Sequence, residues 1–445
     1  MTVPAMATAA AFLVFALVPA TQGQPQAPVQ VPIVAAALSA NTDINALSGA
    51  AAAGDAQAQF ALGNDYLDGR GVAQDYGQAV IWYTKSADRG YAPALNQLGY
   101  MHQHKVGLPL DYRLALKYNR SAANKGYAQA EYNMGAMYQG GVGVKADVKQ
   151  AFQWYQKAAN QNLAEAESVV GYFYQCGSGV KLDYAQALHW YQRAASHGSS
   201  NAEVNLGFMA EKGWGQPQNY DVAFSWYNKA AAAGNAEAME NIGYNYLNGV
   251  GVAIDYATAW SWIYQAAALG SSNAENELGW MFEHGQGVEQ NDALAVAWYS
   301  LSEQQGNVVG TNNLSNLCVD LEWRGNRLCK SSAAVNDPAL VVVQRRAQIR
   351  DLRAQIIGLE TDALQDDMDA NHLAHMGDNA KPKKDNSISR GVTNSLTKTM
   401  DAVGTALGTP ARVQAPQLRE EAARLREEMA QLEILDQSST NLPPP

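Results

Sequence analysis

The sequence has little of what a disulfide-rich scaffold or a nucleic-acid-binding protein needs. It contains only 3 cysteines in 445 residues, too few for the dense disulfide frameworks of small secreted domains. Lysine and arginine together number 31 against 42 aspartates and glutamates, which gives a formal net charge of −11. Nucleic-acid binding depends on a basic surface that neutralises phosphates. The charge balance therefore argues against DNA or RNA as a partner.

Sequence signatures of enzymes are also missing. The chain has no G-x-S-x-G, no H-E-x-x-H, no C-x-x-C and no G-x-x-x-x-G-K-[ST], which are motifs that place a nucleophile, a metal ion or a phosphate. His102 and His104 stand two residues apart and do not share a helix face, so they predict no metal site. We expect a protein that is not an enzyme and that has no cofactor and no metal ligands.

Long apolar runs are confined to the N-terminus. Residues 9–20, AAAFLVFALVPA, carry no charge but fall short of the ~20 residues that span a bilayer. Ala20 and Gly23 are small enough for cleavage, so residues 1–23 are typical of a secretory signal. The alternatives are an uncleaved anchor or a wrongly assigned start, since no lysine or arginine precedes the run. We expect an exported protein, periplasmic or secreted, without a stable membrane span after cleavage.

A Gln-, Pro- and Ala-rich stretch at 24–55 follows the predicted signal. Its composition is typical of a flexible leader. The alanines at its end favour a short helix at 46–53 that caps what comes next, although Gly49 weakens it.

What the chain has in abundance is a 36-residue unit, which recurs seven times over 56–307 without an insertion. A fixed period of this length indicates an array of similar supersecondary units. We call the residues that occupy the same position in successive repeats a column. Three columns recur almost unchanged. They are Gly63, Gly99, Gly135, Gly171, Gly207, Gly243 and Gly279; Ala79, Ala115, Ala151, Ala187, Ala223, Ala259 and Ala295; and Trp82, Tyr118, Trp154, Trp190, Trp226, Trp262 and Trp298.

Each unit has the pattern of two helices. Apolar residues spaced by four predict the first helix, and glycines at 69 and 71 end it. An aspartate or asparagine in the column of Asp75 predicts the N-cap of the second helix. The small columns let the two helices approach closely, and the large columns of Tyr66 and Trp82 are expected to fill the core. One pair cannot bury such a face alone, so the pairs must stack.

This pattern resembles the Sel-1-like repeat family, which is related to the tetratricopeptide repeats. The likeness is carried by A-x-A-x-x-x-L-G-x-x-Y-x-x-G-x-G-V-x-x-D-Y at 56–76 and by A-x-x-W-Y-x-x-A-A-x-x-G at 187–198. It implies an all-α, right-handed α-solenoid that works as an adaptor or binding scaffold. By analogy with related helical-repeat folds, the first helices would line a concave wall.

Two columns on the first helices face away from the expected core and are candidates for a binding groove. They combine amide or acidic side chains with aromatic rings, a mixture that suits an extended peptide. The candidate residues are Tyr100, Asn133, Tyr172, Asn205, Asn241, Tyr244, Glu277 and Trp280. The alternative is that these residues only pack against the next repeat. The glutamates Glu131, Glu167 and Glu203 also recur in register, and we expect them on a solvated face.

The C-terminal part departs from the repeat. Residues 308–335 are typical of a cap, in which Cys318 and Cys329 could form a disulfide if the protein is exported; two reduced thiols in a buried cap are the alternative. Apolar residues spaced by three and four predict heptad helices at 338–368 and 416–435. The polar segment 369–414 is typical of a linker, and 436–445 of a frayed tail.

The predicted function is therefore a non-enzymatic exported scaffold that binds a protein or peptide in a concave groove. Binding of cell-wall glycan or peptide is the alternative, because aromatic rings can also stack on sugars. Two arrangements of the heptad helices are open: pairing within one chain, or pairing between two chains, which would give self-association.

Overall fold

A computed structural model describes residues 44–323, 329, 345, 348, 349, 352, 355, 356, 358, 359, 362, 363 and 417–432. Within these residues the protein is all-α and contains no β-strand. The predicted signal at 1–23, the linker at 369–414 and the tail at 436–445 lie outside the described residues. No helix in the described part is both long and apolar enough to cross a membrane.

The chain divides into two compact units, one built on residues 1–161 with 357–422 and the other on 162–356 with 423–445. The first unit contains α1 (Ile44–Ala53), α2 (Ala56–Asp68), α3 (Tyr76–Asp88), α4 (Ala92–His104), α5 (Tyr112–Ala123), α6 (Ala128–Gly140) and α7 (Val148–Asn160). The second contains α8 (Ala164–Cys176), α9 (Tyr184–Ser196), α10 (Ser200–Lys212), α11 (Tyr220–Ala232), α12 (Ala236–Asn248), α13 (Tyr256–Ala268), α14 (Ser272–His284), α15 (Asp292–Gln304) and α16 (Val308–Trp323).

Within each unit the helices pack mainly on their neighbours in sequence, so successive helix pairs stack as in a solenoid. Even-numbered helices from α2 to α14 are the first helices of the repeats, and odd-numbered helices from α3 to α15 are the second helices. The helix predicted at 46–53 is present as α1. It packs on α2 and covers the apolar end of the first pair.

The predicted caps define the helix ends. Every second helix begins at the Asp75 column, and at α7 the Asp147 carboxylate accepts hydrogen bonds from the backbone N–H groups of Lys149 and Gln150, both at 3.0 Å. Most first helices end at a glycine in the left-handed conformation, as at Gly69 with φ 70°. Lys105 takes this conformation with φ 54° in the second repeat. Local sequence therefore fixes the length of each helix.

Glycine and tyrosine columns interlock in the core. Tyr155 on α7 is 3% exposed and lies against Gly135 on α6, where an added Cβ would come within 2.7 Å of its ring. The same pair recurs as Gly63 with Tyr83, Gly171 with Tyr191, Gly207 with Tyr227 and Gly279 with Tyr299. In these repeats, the glycine therefore leaves the space into which the ring of a tyrosine twenty positions later in the chain packs. We call this space the tyrosine seat.

The expectation that the Trp82 column fills the core was only partly correct, because most of its members pack against the core but stay partly exposed. Trp82 is only partly buried, whereas its neighbour Tyr83 is completely buried. Only Trp190 and Trp298 of that column are buried. Successive residues on a helix point about 100° apart, so only one of the two adjacent rings can face the glycine. The tyrosine occupies that position. The tryptophan lies at the edge, where a basic side chain can cover it, as Lys85 covers Trp82 at 3.8 Å from the ring centroid.

The expectation of a solvated glutamate face was also wrong. Glu131, Glu167 and Glu203 are all buried, and Glu167 is completely so. Each has a partner from the following second helix or the turn after it. Glu131 accepts a hydrogen bond from Gln161 at 2.7 Å, and Glu203 pairs with Lys229 at 2.8 Å. A carboxylate can be buried when it is paired in this way.

The C-terminal segments are helical where the structure describes them. Ile349, Leu352 and Ile356, which belong to one predicted heptad seam, are buried in the second unit. In the first unit Ala363 and Ala422 are buried, and Asp362 pairs with Lys105 at 2.7 Å. Residues 417–432 are helical. The structure also joins Cys318 to Cys329 by a disulfide bond, and Cys176 is a free, exposed cysteine.

Candidate functional site

Two of the predicted groove residues lie in the first unit. The Tyr100 ring on α4 contacts the His104 ring in a tilted arrangement, with centroids 4.4 Å apart. Burial raises the pKa of the Tyr100 hydroxyl. Asn133 on α6 donates a hydrogen bond to Asn96 on α4 at 2.8 Å. This amide therefore ties two neighbouring first helices together, as the packing alternative expects.

Tyr172 and Asn205 come first in the second unit and are also engaged within the protein. Asn205 is 5% exposed and donates to the backbone carbonyl of Asn201 at 3.0 Å. Burial, together with a hydrogen bond to Cys176, raises the pKa of Tyr172 to about 12. Both residues therefore have hydrogen-bond partners within the protein.

The other four predicted residues lie together on α12 and α14. Ile242 and Gly243 lie on the buried side of α12, which packs on α13. The other side carries Asn241 and Tyr244, and the same two columns on α14 carry Glu277 and Trp280. Tyr244 is 46% exposed. Trp280 is partly buried and stacks on His284 with centroids 4.6 Å apart.

Two acidic residues that were not predicted as site residues complete this surface. Glu237 and Glu240 lie one turn before Asn241 and Tyr244 on the same side of α12. We call the set the α12–α14 patch. It consists of Glu237, Glu240, Asn241, Tyr244, Glu277 and Trp280.

Burial raises the pKa values of all three acids of the α12–α14 patch, and repulsion from a neighbouring acid adds to it for two of them. Burial raises the pKa of Glu237 to about 7. Burial and repulsion from Glu237 raise the pKa of Glu240 to about 7. Burial and repulsion from Glu240 raise the pKa of Glu277 to about 8. The repulsion links Glu237 to Glu240 and Glu240 to Glu277, so each acid lies within electrostatic reach of the next.

Several polar atoms of the patch are buried without a hydrogen-bond partner. Among the described residues, Glu237 Oε1, Asn241 Nδ2 and Glu277 Oε2 have none. Glu240 differs, because it accepts hydrogen bonds from the Ser271 hydroxyl and from the Asn273 amide. The orphan atoms comprise two acceptors and one donor, and such buried groups in proteins are normally satisfied.

No group of three histidine, cysteine, aspartate or glutamate side chains in the described part of the chain is arranged to hold a metal ion. The patch therefore provides hydrogen-bond acceptors, one amide donor and two aromatic rings. These groups are suited to binding a ligand. The polar atoms can accept hydrogen bonds from a cationic or polar group, and the rings can cover an apolar group.

A comparison between repeats could have identified Glu240. Its column reads Phe60, Asn96, Tyr132, Ser168, Val204, Glu240 and Asn276, so it is acidic only once. In the column of Glu237, only Glu165 is also acidic. Burial of these charges could not be read from the sequence, because it depends on helices that are 36 residues apart.

Known proteins resemble the chain over the repeats. Residues 56–307 match the family described as Sel1 repeat in seven consecutive segments, 56–91, 92–127, 128–163, 164–199, 200–235, 236–271 and 272–307. These segments coincide with the 36-residue units found in the sequence. No curated protein matches the chain.

Two solved structures have a similar fold. One is the crystal structure of a protective antigen present in uropathogenic Escherichia coli strains and displaying an SLR fold. It is 24% identical with a TM-score of 0.52, and the match covers 89% of this chain and 98% of that one. The other is a Sel1 repeat protein from Oxalobacter formigenes. It is 29% identical with a TM-score of 0.51, and the match covers 55% of this chain and 96% of that one.

Proposed function

Because the chain belongs to the Sel1 repeat family, whose members are generally non-catalytic scaffolds for protein interactions, we propose that it is an exported scaffold whose α12–α14 patch binds a protein or peptide. The observation that carries this proposal is the set of buried orphan atoms, Glu237 Oε1, Asn241 Nδ2 and Glu277 Oε2. A bound polypeptide would supply partners for them from its own side chains and backbone. Tyr244 and Trp280 would cover the apolar parts of the same ligand.

The binding proposal predicts that a variant combining Asn241→Ala, Tyr244→Ala and Trp280→Ala will fail to capture the partner that the wild-type protein retains from a bacterial envelope extract. Truncated aromatic anchors at the centre of an interface each cost about 2 kcal/mol or more in binding, so the loss should be nearly complete. Pull-down followed by mass spectrometry measures it, with circular dichroism to verify that helicity is retained.

Tyr256→Ala is the matched control. Tyr256 begins the second helix α13 and is 37% exposed, so this variant also removes an exposed aromatic ring but leaves the patch intact. We expect it to retain the partner. If the triple variant retains the partner as well, the α12–α14 patch is not the binding site. If soluble cell-wall glycan, and no protein, binds the wild-type protein, the glycan alternative replaces this proposal.

Export and the disulfide are tested together by mass spectrometry of the mature protein. We expect an N-terminus after Ala20 or Gly23. We also expect one alkylated cysteine, Cys176, under denaturing conditions without reductant. Reduction should then expose the other two of the 3 cysteines, because disulfides persist in oxidising compartments. An intact Met1 together with three free thiols would contradict export.

A further inference from the structure

The three acids of the α12–α14 patch lack a cationic partner among the described residues, and only a ligand that carries a positive charge would provide one. Among the described residues, no lysine, arginine or histidine forms an ion pair with Glu237, Glu240 or Glu277. The buried acids of other first helices differ, since Glu203 pairs with Lys229 and Glu167 pairs with Arg193 at 2.8 Å. Within the described part of the chain, the second helices thus supply a cation for those acids and none for the three acids of the patch.

We propose that Glu237, Glu240 and Glu277 form a recognition site for an arginine or lysine side chain of the bound partner. This inference rests on the proposed function and names the chemistry of the ligand. A guanidinium group has five N–H donors and no acceptor, so it suits a site whose orphan atoms include the acceptors Glu237 Oε1 and Glu277 Oε2. The orphan Asn241 amide would donate to a carbonyl oxygen of the same peptide.

The surroundings favour an organic cation over a metal ion. Within the described residues the acids do not converge as a metal-binding group. Tyr244 and Trp280 lie one turn further along the same two helices. An arginine or lysine that reaches the acids would therefore pass beside aromatic rings, which attract cations. The protein already uses this contact internally, because Arg193 lies 4.7 Å from the centre of the Trp190 ring.

Binding of the cation should be linked to proton release. The acids hold protons near neutral pH because burial and mutual repulsion raise their pKa values. A cation in the site would favour the ionised form, so the protons leave as the ligand enters. The hydroxyl groups of Tyr191 and Tyr227 donate to Gln175 and Glu211, and burial keeps their pKa values well above the ordinary range, although Glu237 also raises them. These hydroxyls therefore stay neutral near neutral pH.

The test uses the full-length protein and an N-acetylated, C-amidated hexa-arginine peptide at 0.15 M salt, where diffuse charge attraction is largely screened. The variant combines Glu237→Gln, Glu240→Gln and Glu277→Gln. The charge-matched control combines Asp221→Asn, Glu289→Gln and Glu303→Gln, which are exposed residues of the same unit. Both variants remove three negative charges, so only the position of the charges differs.

Isothermal titration at pH 8.5 should show about a tenfold or greater loss of affinity for the patch variant and less than about a twofold change for the control. Wild-type affinity should fall by about tenfold at pH 6, and titrations at pH 7 in two buffers of different ionisation enthalpy should report proton release. Equal losses in both variants, or no loss in either, would overturn the proposal.

A pull-down from an envelope extract with both variants distinguishes failure of this inference from failure of the proposed function. If the alanine variant at Asn241, Tyr244 and Trp280 loses the partner but the glutamine variant keeps it, the patch binds the partner without a cation, and only this inference fails. If both variants keep the partner, both proposals fail.

Discussion

Replacing Glu237, Glu240 and Glu277 together by glutamine is expected to raise the midpoint of thermal unfolding by roughly 5 °C or more at pH 8.5 and by much less at pH 5. In the folded protein the pKa values of these acids are about 7, 7 and 8, against an ordinary value of 4.5. The folded state therefore holds extra protons between pH 4.5 and pH 8. Stability falls as the pH rises through this window.

The size of the effect follows from the shifts. A pKa raised from 4.5 to about 7 corresponds to about 3 kcal/mol of stability lost at high pH for one such group. Glutamine has almost the same shape and carries no charge, so it removes this penalty. Each glutamine can also keep hydrogen bonds, for example with Ser271 or Asn273 at position 240.

Circular dichroism melts of the wild-type protein, the patch variant and the charge-matched control measure this prediction over pH 5–9. The control, with Asp221, Glu289 and Glu303 changed, should follow the wild-type pH profile closely because its groups are exposed. If the wild-type melting temperature does not fall between pH 6 and pH 8.5, or if the patch variant falls in parallel with it, the acids of the patch are not buried as a group.

Gly135→Ala is expected to destabilise the protein by about 1–3 kcal/mol, although the same change normally stabilises a helix. The added Cβ would lie 2.7–2.9 Å from three ring atoms of Tyr155. The ring cannot move aside easily, because it is buried and its hydroxyl donates to Gln139 Oε1 at 2.9 Å. The backbone of α6 would have to shift away from α7 instead.

Gly140→Ala is the control on the same helix. Its added Cβ would meet only a side-chain atom of Val142 at 3.5 Å, which is an ordinary contact. The usual advantage of alanine over glycine then applies, and we expect stability to rise by about 0.5 kcal/mol. Urea unfolding of both variants measures the difference. A Gly135→Ala protein as stable as the wild type would show that the Tyr155 ring does not pack tightly on Gly135.

The sequence alone determined the repeat and its helices. The 36-residue period, the caps of the Asp75 column and the glycines after most helices act over a few neighbouring residues, and the predicted helix pairs were confirmed. The family resemblance was confirmed as well. These features depend on local hydrogen bonds and backbone conformations, which a periodic pattern records directly.

Only the tertiary structure decided which side chains of each helix are buried and whether they have partners there. Tyr83 and Trp82 are adjacent and both aromatic, and the Gly63 seat on another helix selected the tyrosine. The structure also showed that Glu203 is buried with a lysine, whereas Glu240 is repelled by Glu237, repels Glu277 and pairs with no cation among the described residues. The sequence could not separate these two glutamates, because their environments are formed by residues about 20 to 40 positions away.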